Sequence, residues 1–284
     1  MPNSAQTPHP SPQPDLSSKR GAVPTPGTVV VTGGASGIGA ATCRRLAATF
    51  AHVVVLDRDA AGAERIADGI GGVAVVADVA DPEQVDGAFE MISGLCGGEL
   101  RGLVNNAGVG NLKPLEQYTP EEVDLIWRVN VAGTYNCLRA AAPYLRATQD
   151  AAVVNIASVS GIRPTRGEAP YSAAKAAVVA LTSSAALEWA PQVRVNCVSP
   201  GFIRTPLNEM LASDDSLREG IEQRTPLGRM GNSEETAELI AALLSAAHGY
   251  LTGQNIVLDG GSTLDSSQMD PVLAPLLGGA TTQP

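Results

Sequence analysis

Tyr171 and Lys175 stand four residues apart in the stretch YSAAKAA, where every other residue is serine or alanine. Alanine favours helix and buries little surface, so the small residues need no further account. Residues four apart share a helix face, which sets a phenol beside an ammonium. A free phenol, with a pKa of about 10, is a poor base at neutral pH. A nearby cation favours the phenolate and lowers that value, which suits a group that exchanges a proton with an alcohol or carbonyl oxygen. Ser158 ends the run AVVNIAS thirteen residues before Tyr171. Its hydroxyl can hydrogen-bond a substrate oxygen and steady developing charge there. On its own each feature also has an ordinary reading, a surface Tyr–Lys contact and a loop-starting serine.

A second group of residues gives the pair a context. The turn Thr32-Gly33-Gly34-Ala35-Ser36-Gly37-Ile38-Gly39 follows an apolar run and precedes an alanine-rich stretch. Glycines let a backbone approach a pyrophosphate, and the helix N-terminus that follows offers free amides and the positive end of its dipole. The spacing of Gly33, Gly37 and Gly39 differs from the commoner Gly-x-Gly-x-x-Gly fingerprint; its place between strand and helix gives it weight. Asp57, eighteen residues after Gly39, ends the second apolar run. A carboxylate there can accept both hydrogen bonds of an adenosine ribose diol and repel a 2′-phosphate. Ser36 offers no positive charge for such a phosphate, whereas the Arg58 guanidinium could pair with one or lie across the adenine. The balance favours NAD over NADP. Asp78 and Val79 are placed to meet the adenine edge. Asp78 could equally cap a helix beginning near Pro82, although Asp81 is better placed for that.

These groups need a scaffold, and the chain has the pattern of one. Short β-branched runs begin at Thr28 (TVVV), His52 (HVVVL), Val73 (VAVVA), Gly102 (GLVNN), Ala152 (AVVNIA), Val193 (VRVNCV) and Asn255 (NIVL). Several lack polar alternation, as strands covered on both faces do. Between them, 40–50, 82–95, 120–147, 171–190 and 233–246 are compatible with helix. Strand–helix alternation on this scale predicts an α/β fold, a doubly wound seven-stranded parallel sheet with helices on both faces. Residues 27–263 form the expected domain, preceded by a proline-rich disordered arm (1–26) and followed by a tail (264–284). The stretch from Gly201 to about Asn232 is expected to be a lid or substrate loop, with Leu207, Met210, Leu211 and Ile221 as apolar cover.

Composition narrows the function classes. The 284 residues carry a formal net charge of −10, which argues against nucleic-acid or anionic-membrane partners. Four cysteines, Cys43, Cys96, Cys137 and Cys197, are scattered without Cys-x-x-Cys spacing and read as core residues of a reducing compartment. The three histidines stand apart from any other ligand set, so neither a metal site nor a serine–histidine triad is expected. No signal-peptide core or membrane-length apolar run occurs, and the expected location is cytoplasmic.

The motifs TGGASGIG (from Thr32), NNAG (from Asn105), Asn130, Ser158, YSAAK (from Tyr171) and PGFIRT (from Pro200) occur in the order found in the short-chain dehydrogenases/reductases. The chain resembles that family from about Thr28 to Gly261, including the closing LTGQNIVLDGG. The resemblance implies a Rossmann-type domain binding a nicotinamide dinucleotide, with Asn130, Ser158, Tyr171 and Lys175 as catalytic residues. It further implies that Lys175 bonds the nicotinamide ribose and that Asn130 holds a water linking Lys175 to solvent. Asn106, Ala107 and Gly108 would lie along the cofactor, and Pro200 and Gly201 beside the nicotinamide. Ile203 would bond the carboxamide through its backbone, and the Thr205 hydroxyl would meet the same amide or the phosphates. The expected activity is NAD-dependent interconversion of a secondary alcohol and a ketone by a homo-oligomer, tetramer or dimer. NADPH-dependent reduction of carrier-bound 3-oxoacyl groups is the alternative. A non-catalytic dinucleotide sensor is another, although its hallmark would be a damaged Tyr–Lys pair.

Overall fold

The computed structural model describes residues 25–95 and 99–264. Seven strands form one parallel sheet: β1 (Thr25–Thr32), β2 (Phe50–Asp57), β3 (Val73–Val76), β4 (Leu100–Asn105), β5 (Ala151–Ile156), β6 (Val193–Pro200) and β7 (Asn255–Leu258). Their order is β3-β2-β1-β4-β5-β6-β7. The chain winds outward from β1 to β3, crosses back to β4 and winds the other way to β7. That reversal opens a crevice at the carboxyl ends of β1 and β4, where open α/β sheets bind ligands.

Apolar strand runs without polar alternation follow from burial on both faces. Val29, Val31, Val53, Val55, Val104 and Val154 point to one side. There they pack on α1 (Gly37–Ala47), α2 (Ala60–Ile70) and, farther along the chain, the helix Ser233–Leu244. The intervening Val30, Val54, Leu103, Val153 and Val195 point to the other side. They meet α3 (Pro82–Leu95), the segment formed by α4 (Pro120–Trp127) and α5 (Gly133–Ala147), and α6 (Ala169–Trp189). Residues two apart on a strand share a face, so one apolar run serves both layers.

Element ends differ from the sequence reading in ways that have local causes. Helix α1 starts at Gly37 and ends at Ala47, and Phe50 opens β2. Helix α2, which was not among the stretches read as helical, has clear punctuation: Asp59 accepts from Gly62 N, and Gly71 ends it at φ +65°. The stretch 120–147 is continuous in direction but has a π-turn at Arg128–Ala132 between α4 and α5. Asp81, not Asp78, caps α3, accepting from Glu83 N and Gln84 N. Strand β1 begins two residues inside the segment read as an arm. The rest of that arm, the tail beyond Leu264 and Cys96 lie outside the described residues.

After β6 the chain makes a single bridge, Ile203 to Gly231, and between these residues forms α7 (Glu209–Ser213) and α8 (Asp215–Gln223). Helix α9 (Ser233–Leu244) follows, with a capping box formed by Asn232 and Glu235. The region from Gly201 to Asn232 therefore carries structure of its own, tied at its base by the bridge.

Candidate active site

The crevice is a cleft of about 540 Å³. Of the site residues named from the sequence, all line it except Gly39 and Asn130, which stand directly behind its wall.

At one end the turn after β1 wraps back on itself. Gly33 has φ +63°, and a Cβ there would lie 2.8 Å from the Ala107 Cα. A Cβ on Gly39 would meet the Gly33 carbonyl at 2.0 Å, so only glycine closes this turn. Ser36 precedes α1 without a side-chain capping bond, and the first turn of α1 carries no acidic residue. The free amides of that helix end thus face the cleft unopposed. Asn106 clamps the turn from β4: its side-chain amide donates to the carbonyls of Thr32 (3.1 Å) and Gly33 (3.0 Å). The Thr32 hydroxyl in turn accepts from Asn106 N and Ala107 N. Within NNAG, Asn106 thus fastens the end of the central strand to the glycine turn, and its neighbours Ala107 and Gly108 line the cleft beside it.

Asp57 and Arg58 stand at the end of β2. The Asp57 carboxylate accepts from Ala35 N and Asp59 N, both at 3.0 Å, and so ties the glycine turn to its own strand. Each oxygen keeps a second lone pair for a ligand. Asp78 accepts from Ala80 N at 2.9 Å, and the Val79 carbonyl accepts from the Asn136 amide at 3.0 Å, which holds the wall after β3 against α5.

At the other end, α6 brings Tyr171 and Lys175 under the loop that follows β4. Lys175 is buried, its Nζ donating to the Ile156 carbonyl at 2.8 Å and lying 5.6 Å from the Tyr171 ring centroid. Ser158 accepts from Ser160 N at 3.1 Å and bonds the Tyr171 hydroxyl. Burial pushes the Tyr171 phenol up to about 12, the Glu168 charge adds to this, and the Ser158 bond opposes it. Lys175 is itself pulled down to about 8 by burial. Burial thus sets the direction of the Tyr171 shift, opposite to the lowering expected from a neighbouring cation.

Asn130 sits in the π-turn between α4 and α5. Its side-chain amide donates to the Ile126 carbonyl (2.9 Å) and the Val109 carbonyl (2.8 Å). Its Oδ1 is buried and has no partner among the described residues. Gly108 stands between: a Cβ there would lie 2.8 Å from Asn130 Oδ1 and 3.3 Å from Lys175 Nζ.

On the far wall, Gly201 N donates to the Leu258 carbonyl at 2.9 Å and anchors the Pro200-Gly201 turn. The Ile203 carbonyl accepts from the Asn208 side chain at 2.9 Å, and the Thr205 hydroxyl reaches the same carbonyl at 3.5 Å. Thr205 and Pro206 lie against Gly37, closing this wall over the glycine turn. Leu207 lines the cleft and Ile221 does not; the side chains of Met210 and Leu211 lie outside the described residues.

Several participants escaped the sequence reading. Asn155 is fully buried in β5, accepting from Asn105 (2.8 Å) and donating to Thr182 of α6 (2.9 Å). That chain of bonds fixes α6 against β5 beneath Tyr171 and Lys175. Its signal was an asparagine inside an apolar run. Asn208, Ser160 and Glu168 also line the cleft and carried no motif, and Phe202 lines it from within PGFIRT, where it had no assigned role. No group of three or more metal-binding side chains occurs among the described residues, and none of their helices is long and apolar enough to cross a membrane.

A family model described as enoyl-(acyl carrier protein) reductase matches residues 33–263. A tropinone reductase homolog of Arabidopsis thaliana is 37% identical over 250 residues, covering 86% of this chain and 93% of the relative. A 3-oxoacyl-acyl-carrier-protein reductase of Thermotoga maritima is 37% identical over 238 residues, covering 82% and 96%. Among solved structures, a gluconate 5-dehydrogenase of Burkholderia cenocepacia, in complex with NADP and tartrate, superposes with a TM-score of 0.81. It is 33% identical, over 86% of this chain and 98% of its own. With its sheet order, its glycine turn and this breadth of likeness, the chain belongs to the short-chain dehydrogenase/reductase family.

Proposed function

We propose that the protein is an NAD(H)-dependent oxidoreductase that interconverts a secondary alcohol and a ketone, with Tyr171 as the acid/base. One observation carries the reading: the glycine turn with its uncapped helix end and the Ser158–Tyr171–Lys175 group open into one cleft. The residues fit a dinucleotide. The turn around Gly33, Gly37 and Gly39 is a cradle that a Cβ would fill, and the amides of α1 complement a pyrophosphate. Asp57 and Arg58 would hold the adenosine ribose, Asp78 and Val79 the adenine edge, and Lys175 the nicotinamide ribose. Pro200, Gly201, Ile203 and Thr205 would border the carboxamide. When bound, the dinucleotide supplies the hydride acceptor or donor.

The chain's own residues handle the proton. Ser158 accepts from Ser160 N, and its one hydroxyl proton, directed at the Tyr171 oxygen, would turn to a substrate oxygen bound between them. With its pKa at about 12, the Tyr171 phenol is protonated at neutral pH and ready to donate to a carbonyl oxygen. In the oxidative direction Tyr171 must lose that proton, and charge on Lys175 favours the phenolate. Asn130 Oδ1 and Lys175 Nζ flank the gap at Gly108, two polar partners of the kind a relaying water needs.

Reduction of carrier-bound 3-oxoacyl groups with NADPH is the second reading. Arg58 in the cleft wall and the likeness to an acyl-carrier-protein reductase favour it. A panel of alcohols, ketones and 3-oxoacyl thioesters, assayed by nicotinamide absorbance with each cofactor, separates the two. The proposal expects turnover of simple secondary alcohols with NAD, and expects Asp57→Ser to raise the NADP-to-NAD ratio of kcat/KM at least about tenfold. Activity confined to NADPH and thioesters, with a ratio insensitive to Asp57, contradicts it.

A further inference from the structure

Glu168 immediately precedes α6 and lines the cleft with Ser158 and Tyr171. It occupies the N-cap position, yet its side chain makes no capping bond. Only its main-chain carbonyl serves the helix, accepting from Ser172 N at 2.7 Å. The carboxylate instead accepts from the buried Ser160 hydroxyl at 2.7 Å.

The backbone that presents it is held from the opposite wall. The Gly167 carbonyl accepts from Lys113 N at 2.9 Å and from the Tyr118 hydroxyl at 2.8 Å. Gly167 has φ +84°, and a Cβ there would lie 2.8 Å from Leu112 Cδ1. A residue held so closely keeps its side chain in place. The other charges of the cleft are remote in role: Asp57 and Arg58 end β2, Asp78 follows β3, and Lys175 is bonded to Ile156. The Glu168 charge is nonetheless near enough to Tyr171 to oppose its ionisation.

We infer that Glu168 is a specificity-determining carboxylate, selecting alcohols and ketones that carry a cationic amine over neutral ones, and neutral ones over carboxylates. A carboxylate that lines a cleft, held there by a hydroxyl, attracts a cation or a hydrogen-bond donor and repels an anion. Ser160 is a positioning residue that aims it. The inference rests on the reading of Tyr171 as the acid/base.

The test uses one cyclic ketone scaffold bearing an ammonium, a hydroxyl or a carboxylate, with kcat/KM measured for each. The wild-type protein should favour the ammonium over the carboxylate compound by at least about tenfold. Glu168→Gln should bring the three within about threefold of one another, and Glu168→Asp should retain the order. Calorimetric binding of unreactive amine and acid analogues reads the same order without turnover. A wild-type chain indifferent to charge by both measurements, or an order unchanged in Glu168→Gln, overturns the inference and leaves the Tyr171 reading standing. Charge-ordered binding of the analogues without turnover of any ketone would instead uphold Glu168 and count against Tyr171.

Discussion

Lys175 is where burial and function conflict most plainly. Its ammonium lies in the core with one carbonyl partner, and its pKa falls from 10.5 to about 8. Between those values the unfolded chain holds a proton that the folded chain has lost, so this group makes stability rise with pH. At neutral pH the buried charge costs on the order of 3 kcal/mol. Lys175→Met should therefore be inactive yet more stable than wild type in urea near about pH 7, with the advantage shrinking toward about pH 10. A stability difference independent of pH would show that the lysine is not strained by burial. The residue types at this site were legible because chemistry demands them. Their electrostatics were not, since helical spacing sets phenol beside ammonium but says nothing of how dry the place is. Glu168 was passed over for a related reason: a glutamate in a loop announces nothing until Ser160 and Gly167 are seen to hold it.

At the scale of elements, the apolar runs announced the strands because a doubly covered sheet needs no polar face. The connections were harder. The stretch 120–147 has an unbroken helical pattern, and a π-turn adds a residue without disturbing composition, so only the structure places Asn130 beside the Ile126 and Val109 carbonyls. Helix α2 follows the expected alternation of strand and helix, but its bounds were not drawn from the sequence although Asp59 and Gly71 bracket it. The clamp between β1 and β4 belongs to this scale too. Asn106→Ala removes the donor for two carbonyls of the glycine turn, at a cost of about 1–3 kcal/mol. NADH affinity, followed by fluorescence titration, should fall about tenfold or more as the cradle loosens. Unchanged affinity together with unchanged urea stability would mean that the turn holds its shape without the clamp.

For the whole molecule, the fold class and strand count follow from the alternation of runs, and the site from the winding reversal that gathers six strand ends, β1 to β6, around one cleft. Assembly was legible only through family resemblance. The structure adds that Leu125, Trp127 and Tyr135, on the consecutive helices α4 and α5, are 40%, 42% and 53% exposed. Large apolar side chains left open on neighbouring helices favour association. Sedimentation of the full chain should give a dimer or tetramer, and substitution of Trp127 and Tyr135 together by Lys should shift it toward smaller species. A wild-type monomer at micromolar concentration would contradict this.

Turnover by Tyr171→Phe tests the central claim most directly. The variant keeps the ring that packs beneath Gly110 and removes one oxygen. With a secondary alcohol that the wild-type protein oxidises, its kcat should fall at least about 100-fold. NADH binding, measured on the same preparation, should stay within about threefold of wild type, since the glycine cradle is untouched. A kcat close to that of the wild-type protein would contradict the assignment of the proton to this phenol.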